Sequence, residues 1–233
     1  MFVVNIIIKR QKMLEILQYD FIQNALIAGV LISIAAGIIG SLVVVNKITF
    51  LTGGIAHSSY GGIGLAIYMG IPVLFGATVF AVLTAILIAI ITLKNRTRID
   101  AIIGMMWASG MAIGIIFVDL TPGYNVDLMS YLFGSIIAVS REDLIYMSVL
   151  DVFIISIVVF FYKQILAVSY DSEFASLRGI NVKFFYTLIL ILAALCVVAA
   201  IKAVGLILVI ALLTIPTYLA ESFSSKLSTM MII

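Results

Sequence analysis

Long uninterrupted apolar runs fill this chain, with short polar patches between them. A bilayer core of about 30 Å is crossed by about 20 apolar residues in a helix. Seven stretches reach or approach that length: 21–45, 53–70, 72–93, 101–118, 144–162, 184–201 and 203–220. Runs such as Ala81–Leu93 and Phe184–Ala200 lack the period-two alternation of a membrane barrel strand. The pattern predicts an all-α fold, a polytopic transmembrane helical bundle of about seven spans.

Segment 128–140 breaks the pattern. Leu128–Val139 lies between Asp127 and the polar group Arg141, Glu142, Asp143. It is too short to span and suits a re-entrant or interfacial helix. Charge agrees with this. Lys94, Arg96 and Arg98 mark one inner loop, and Lys163, Arg178 and Lys183 mark another. Two loops on one side need an even number of crossings between them, and 101–118 and 144–162 supply two. The loop Asp119–Asp127 is acidic and lacks Lys and Arg, as an outer loop should. Counting backwards places Asn46 and Lys47 inside and the N-terminus outside, against Lys9, Arg10 and Lys12, so either the charge rule fails here or residues 1–19 lie on the inner face and the first crossing is miscounted. Residues 1–20 form an N-terminal flank. They are no cleavable signal peptide, because Phe2–Ile8 is too short and precedes its basic group. No repeat or linker divides residues 1–233, so they read as a single transmembrane domain.

Composition narrows the function. The chain is 64% apolar and 10% charged, against about 45–50% and about 25% in a soluble domain. There is too little polar surface to coat a soluble globule. Thirteen scattered Lys and Arg and a net charge of +2 make no basic face, which argues against nucleic acid. Cys196 is the single cysteine and His57 the single histidine, so no thiolate cluster or two-imidazole site exists. No phosphate-binding loop, nucleophile elbow, zinc-protease helix or dinucleotide fingerprint appears. Ser58 beside His57 is no catalytic pair, since adjacent helical positions face apart. The chain reads as no enzyme, and any uphill transport would draw on a partner or an ion gradient.

Two segments carry candidate chemistry. In the hydrophilic stretch 163–183, Asp171 or Ser172 can cap a short helix, Glu173 suits its first turn, and Gly179 can end it. Phe174 and Leu177 are i, i+3 neighbours on an apolar side, with Glu173 and Arg178 expected on the polar side. Such a helix can dock into another protein's groove, or simply connect two spans. The second segment is Thr52-Gly-Gly-Ile-Ala-His-Ser-Ser-Tyr-Gly-Gly-Ile-Gly-Leu-Ala66. Gly53, His57 and Gly61 share one stripe, Gly54 and Gly62 lie on the next, and Gly64 follows. Small residues at this spacing let helix backbones approach closely in a bilayer. His57 is either a hydrogen-bonded packing residue or a transition-metal ligand facing a polar cavity. Asp151, about two turns into its span, reads as a residue wetted at the span's edge.

These motifs resemble the permease subunits of bacterial zinc/manganese/iron-type ABC transporters, the ABC-3 family. Ile55-Ala-His-Ser-Ser-Tyr-Gly-Gly-Ile-Gly-Leu-Ala66 is similar to the family's histidine- and glycine-rich helix. Asp127-Leu-Met-Ser-Tyr-Leu-Phe-Gly-Ser-Ile-Ile-Ala-Val-Ser-Arg-Glu-Asp-Leu144 is similar to its most specific block. Ser169–Asn181 resembles its inner loop, and Lys202–Pro216 its proline-containing helix. The resemblance implies an ATP-driven importer of zinc, manganese or iron in the bacterial inner membrane, with the pathway formed by two copies of the chain. It implies cytoplasmic ATPase subunits on a coupling helix formed by Asp171, Glu173, Phe174, Leu177, Arg178 and Gly179, and an extracytoplasmic metal-binding protein outside. No cofactor is implied for this subunit, only cargo. Many members carry Asp where this chain has Gly53, so His57 alone implies transient metal contact. Further spans of the family are expected beyond Ile233. A chelated cargo such as a siderophore or cobalamin is the alternative, and a channel or secondary transporter a third reading.

Overall fold

A computed structural model describes residues 18–94, 99–122, 129–224 and 226–233. All regular elements among them are helical. They are α1 (Asp20–Val45), α2 (Thr49–Met69), α3 (Val73–Lys94), α4 (Ile99–Asp119), α5 (Met129–Phe133), α6 (Arg141–Phe160), α7 (Tyr162–Tyr170), α8 (Ser172–Leu177), α9 (Val182–Phe223) and α10 (Leu227–Met230). Local chemistry sets several boundaries. Lys47 takes φ 57° in the tight link from α1 to α2. Gly70 ends α2 at φ 68°, a left-handed cap that a side chain resists. Ser140 and Asp143 form a capping box at the start of α6.

Contacts order these rods. Arg141 pairs with Asp20 at 2.9 Å, so α1 and α6 start at the same end. Asn46 Nδ2 donates to Ser169 Oγ at 2.9 Å at the opposite end. Helices α2 and α4 run parallel, since Gly54 lies at Ile103 and Gly64 at Gly114. Helix α3 is antiparallel to α2, with Gly61 at Phe80 and Gly76 at Ala66.

The 42-residue α9 is a hairpin rather than a rod. Phe185 packs against Phe161 at 5.6 Å at one end, and Lys202 reaches Asp143 near the other. Gly205 then takes φ 77° and ψ 164° and the chain reverses. The returning rod sets Ile210 against Gly53, and Leu213 and Thr217 against Gly40. The two runs 184–201 and 203–220 therefore exist as separate rods, divided at Gly205 rather than at Lys202.

Five helices are long and apolar enough to cross a membrane: Asp20–Val45, Val73–Lys94, Ala101–Asp119, Arg141–Phe160 and Val182–Phe223. Helix α2 is absent from that set although it has 21 residues. Burial explains this, because every residue from Leu51 to Gly64 is enclosed by protein. A helix wrapped by other helices can carry Gly, Ser, Thr and His, which lipid would not accept.

Of segment 128–140, residues 129–140 fold as the five residues of α5, then Gly134 at φ 72°, then a 3-10 turn at Ile136–Ala138. Five helical residues rise only about 7.5 Å, so this piece spans nothing. Asp127, Arg96, Arg98 and the basic group Lys9, Arg10, Lys12 lie outside the described residues. Two features differ from expectation. The stretch 163–183 holds two helices, because Ile165 and Val168 give α7 a buried face of its own. Asp151 is 4% exposed rather than wetted. It sits ten residues into α6 from Arg141, about 15 Å along the helix.

Candidate functional site

The glycines of α2 stand where backbones touch. A methyl carbon on Gly62 would fall 2.4 Å from the Gly76 carbonyl oxygen, and on Gly64 2.2 Å from that of Gly114. On Gly61 it would meet the Gly110 carbonyl oxygen at 2.9 Å, and on Gly54 the Ile103 side chain at 2.5 Å. Gly53 differs, because its nearest neighbour is the flexible tip of Ile210 at 3.1 Å. Close approach of this kind gives van der Waals contact that lipid cannot supply to a polar helix.

His57 sits two turns inside α2, since that helix begins at Thr49 rather than near Gly53. It is 6% exposed. Its ring stacks on Trp107 of α4, with centroids 3.8 Å apart and planes 8° from parallel. Its Nδ1 is buried without a hydrogen-bond partner among the described residues. Trp107 is held in turn, its Nε1 donating to Met111 Sδ at 3.2 Å. The stripe of Gly53, His57 and Gly61 does not face one neighbour. Gly53 faces the returning rod of α9, His57 faces Trp107, and Gly61 faces α4 and Phe80. The space beside the imidazole is therefore filled by an indole ring in this conformation. Sequence reasoning gave Trp107 no role. The available signal was that it is the chain's one tryptophan, set in an apolar run.

No group of three or more His, Cys, Asp or Glu side chains able to hold a metal occurs among the described residues. One oxygen of Asp151, Oδ2, is also buried without a partner. These are the two orphaned buried side-chain atoms among the described residues, and they lie on different helices.

A third polar feature escaped the sequence reading. Lys202 on α9 pairs with Asp143 on α6. Asp143 also accepts from the Ser140 backbone N at 2.8 Å and the Ser140 hydroxyl at 2.6 Å. Ser135 N donates to the Lys202 carbonyl at 3.0 Å. Next to this, Gly134 and Gly205 meet backbone to backbone, each with positive φ. The signal was a lysine within an apolar run, which needs a counter-ion inside the protein.

Helix α8 sits at the opposite end. Asp171 caps it, its Oδ1 accepting from Phe174 N at 2.9 Å. Gly179 follows at φ 77°, and Ala175 is the one residue of α8 that is buried. Phe174 and Leu177 are exposed, Leu177 to 88%. Glu173 is in the first turn. The expected division into polar and apolar sides does not hold for Arg178. Its guanidinium lies over the Phe174 ring at 4.7 Å, because i, i+4 residues are neighbours on a helix.

Comparison with known proteins follows the same lines. The chain is 45% identical over 221 residues to an uncharacterized membrane protein of Synechocystis, covering 95% of this chain and 79% of that one. It is 33% identical over 218 residues to the manganese transport system membrane protein MntC of Listeria monocytogenes, covering 94% and 78%. Among solved structures, PsaBC from Streptococcus pneumoniae in complex with Fab matches at a TM-score of 0.85 and 30% identity, over 95% of this chain and 80% of that chain. The model of the ABC 3 transport family matches residues 18–233, and the chain, a multi-helix membrane protein of this architecture, belongs to that family.

Proposed function

We propose that this chain is the membrane-spanning subunit of an ATP-driven importer of a divalent transition-metal ion, with manganese the first candidate and zinc and iron the others. The observation that carries this reading is its likeness, over 94% of its length, to a manganese transport system membrane protein. The geometry supports it. Lys47, Lys94, Lys163, Arg178 and Lys183 gather at the α8 end, so that end faces the cytoplasm of a bacterial inner membrane. Helix α8 is bare there and takes the ATPase subunit, Phe174 and Leu177 entering its groove and Ala175 anchoring the helix to the bundle. ATP-driven closure of the ATPase pair then moves α8 and the rods joined to it. The metal-binding protein meets the Gly205 end, and a second copy of the chain completes the pathway.

On this reading His57 touches cargo transiently. One imidazole supplies one of about four ligands that zinc prefers, and Gly53 offers no carboxylate. Weak contact suits a carrier, which must release what it binds. Trp107 has to leave the face of the imidazole before an ion can reach it. The absent carboxylate at Gly53 is also what a chelated cargo would favour, which makes a chelate the second reading. The test is uptake into vesicles holding this chain with its ATPase, using radioactive manganese against unlabelled manganese, zinc and iron. Competition by one free metal ion supports the reading. Uptake of a ferric or cobalt chelate, with no uptake of free ions, would replace it with the chelate reading.

A further inference from the structure

Helices α1 and α6 leave a groove between them in the half of the bundle away from α8. It encloses about 710 Å³ and runs along α6 from Arg141 to Val152. That is about 16 Å of helix, close to the half-thickness of a bilayer core of about 30 Å. The groove is therefore one leaflet deep. Its walls are apolar, with Ile27 on α1 and Val149 and Val152 on α6. Val149 and Val152 are 62% and 64% exposed. An apolar groove of this depth accommodates an acyl chain, because lipid tails are as apolar as the side chains they meet.

The mouth of the groove sets it apart. Arg141 lines it and pairs with Asp20 at 2.9 Å, each side chain 75% exposed. Glu142 is exposed beside them. Tyr19 and Phe21 flank Asp20 and are 57% and 45% exposed. Exposed aromatic rings collect at the membrane–water interface, so the ion pair lies at the level of the lipid headgroups. A second groove on the same two helices, lined by Ile38, Val158 and Met231 among others, has no charged residue in its lining.

The charges at the mouth select a headgroup. The bond to Asp20 uses one guanidinium nitrogen of Arg141, and a guanidinium has five N–H donors, enough to bind a phosphate as well. A purely anionic headgroup would meet two carboxylates, Asp20 and Glu142, for one guanidinium. A headgroup with both a phosphate and an ammonium meets each charge with its opposite. A primary ammonium donates hydrogen bonds to carboxylates, as a lysine does. A quaternary ammonium has no N–H and favours an aromatic cage, whereas Tyr19 and Phe21 stack on each other at 5.7 Å.

We propose that the groove between α1 and α6 is a binding site for one phosphatidylethanolamine molecule. Its phosphate lies on Arg141, its ammonium on Asp20 and Glu142, and one acyl chain between Ile27 and Val149. Bound there, the lipid fastens α1 to α6 at the outer surface, where an exposed ion pair by itself contributes little. The site uses no residue given a part in cargo passage, so it stands apart from the transport reading.

The experiment reconstitutes the full chain in vesicles of equal parts phosphatidylethanolamine, phosphatidylglycerol and phosphatidylcholine with matched acyl chains. The protein is extracted in mild detergent, and native mass spectrometry counts the lipid kept on each chain. The parent should keep one phosphatidylethanolamine, enriched severalfold over the other two lipids. Arg141→Gln and Asp20→Asn should each bring the three lipids to equal retention, while melting like the parent in detergent without lipid. Val149→Trp fills the groove and should lose bound lipid of every headgroup. Leu83→Trp, at a 55% exposed position on α3, should keep the enrichment. Equal retention of the three lipids by the parent, a preference for phosphatidylglycerol or phosphatidylcholine, or no retained lipid would overturn the proposal. So would enrichment that persists in both charge variants or in Val149→Trp. Neither cargo nor nucleotide enters these measurements, so failure of the transport reading leaves them unchanged.

Discussion

Gly64→Ala is the sharpest test of the seam that carries His57. The added methyl carbon would sit 2.2 Å from the Gly114 carbonyl oxygen, 2.6 Å from its Cα and 2.7 Å from its carbonyl carbon. Ordinary contact begins at 3.4 Å, so α2 and α4 must part by roughly 1.2 Å to restore the 2.2 Å contact to that separation. All three obstructing atoms are backbone, so no rotamer change can absorb the strain. Overpacking usually costs about 1–3 kcal/mol, and a rigid obstruction places this change near the upper end, about 3 kcal/mol. Gly104→Ala is the control, because a methyl carbon there meets nothing within 4 Å. It should gain up to about 1 kcal/mol of helix propensity. Thermal unfolding in detergent should separate the two variants in opposite directions from the parent. Parting the seam should also loosen the 3.8 Å stacking of His57 on Trp107, raising the tryptophan's accessibility to a fluorescence quencher. Equal stability of the parent and Gly64→Ala, with unchanged quenching, would refute the backbone contact between α2 and α4.

His57→Ala is expected to cut metal uptake strongly with little loss of protein from the membrane, and uptake equal to the parent would return His57 to a packing role. Phe174→Ala should leave insertion intact and lower uptake per ATP hydrolysed, measured in vesicles with the ATPase present. A cysteine at Ser176 should react with a thiol reagent only from the cytoplasmic side, and labelling from outside would invert the bundle. Asp151→Leu should raise thermal stability, because an unsatisfied buried polar group costs about 1–3 kcal/mol. If uptake falls while stability rises, Asp151 serves transport rather than the fold.

Helical class, the positions of most rods and the short segment at 128–140 were legible along the chain, because lipid imposes a length and an apolarity on each helix separately. Those are one-dimensional demands, and runs such as Val73–Lys94 display them openly. The glycine spacing of α2 announced close packing for the same local reason, since a helix fixes which residues share a face. What each face meets is a property of the neighbours. That Gly53 and His57, four residues apart, confront α9 and α4 respectively depends on how three helices are arranged around α2. Trp107 covers His57 across 50 residues of sequence, and Lys202 finds Asp143 across 59. Neither pairing leaves a trace in local spacing, because each partner alone satisfies the pattern of its own helix. The sequence by itself determined the long apolar rods and which glycines permit contact, but not α7, whose Ile165 and Val168 find a buried face only in the folded bundle. The apolar pattern already separated the runs 184–201 and 203–220, and only the tertiary structure decided that the reversal falls at Gly205, where a single positive φ meets the backbone of a distant segment.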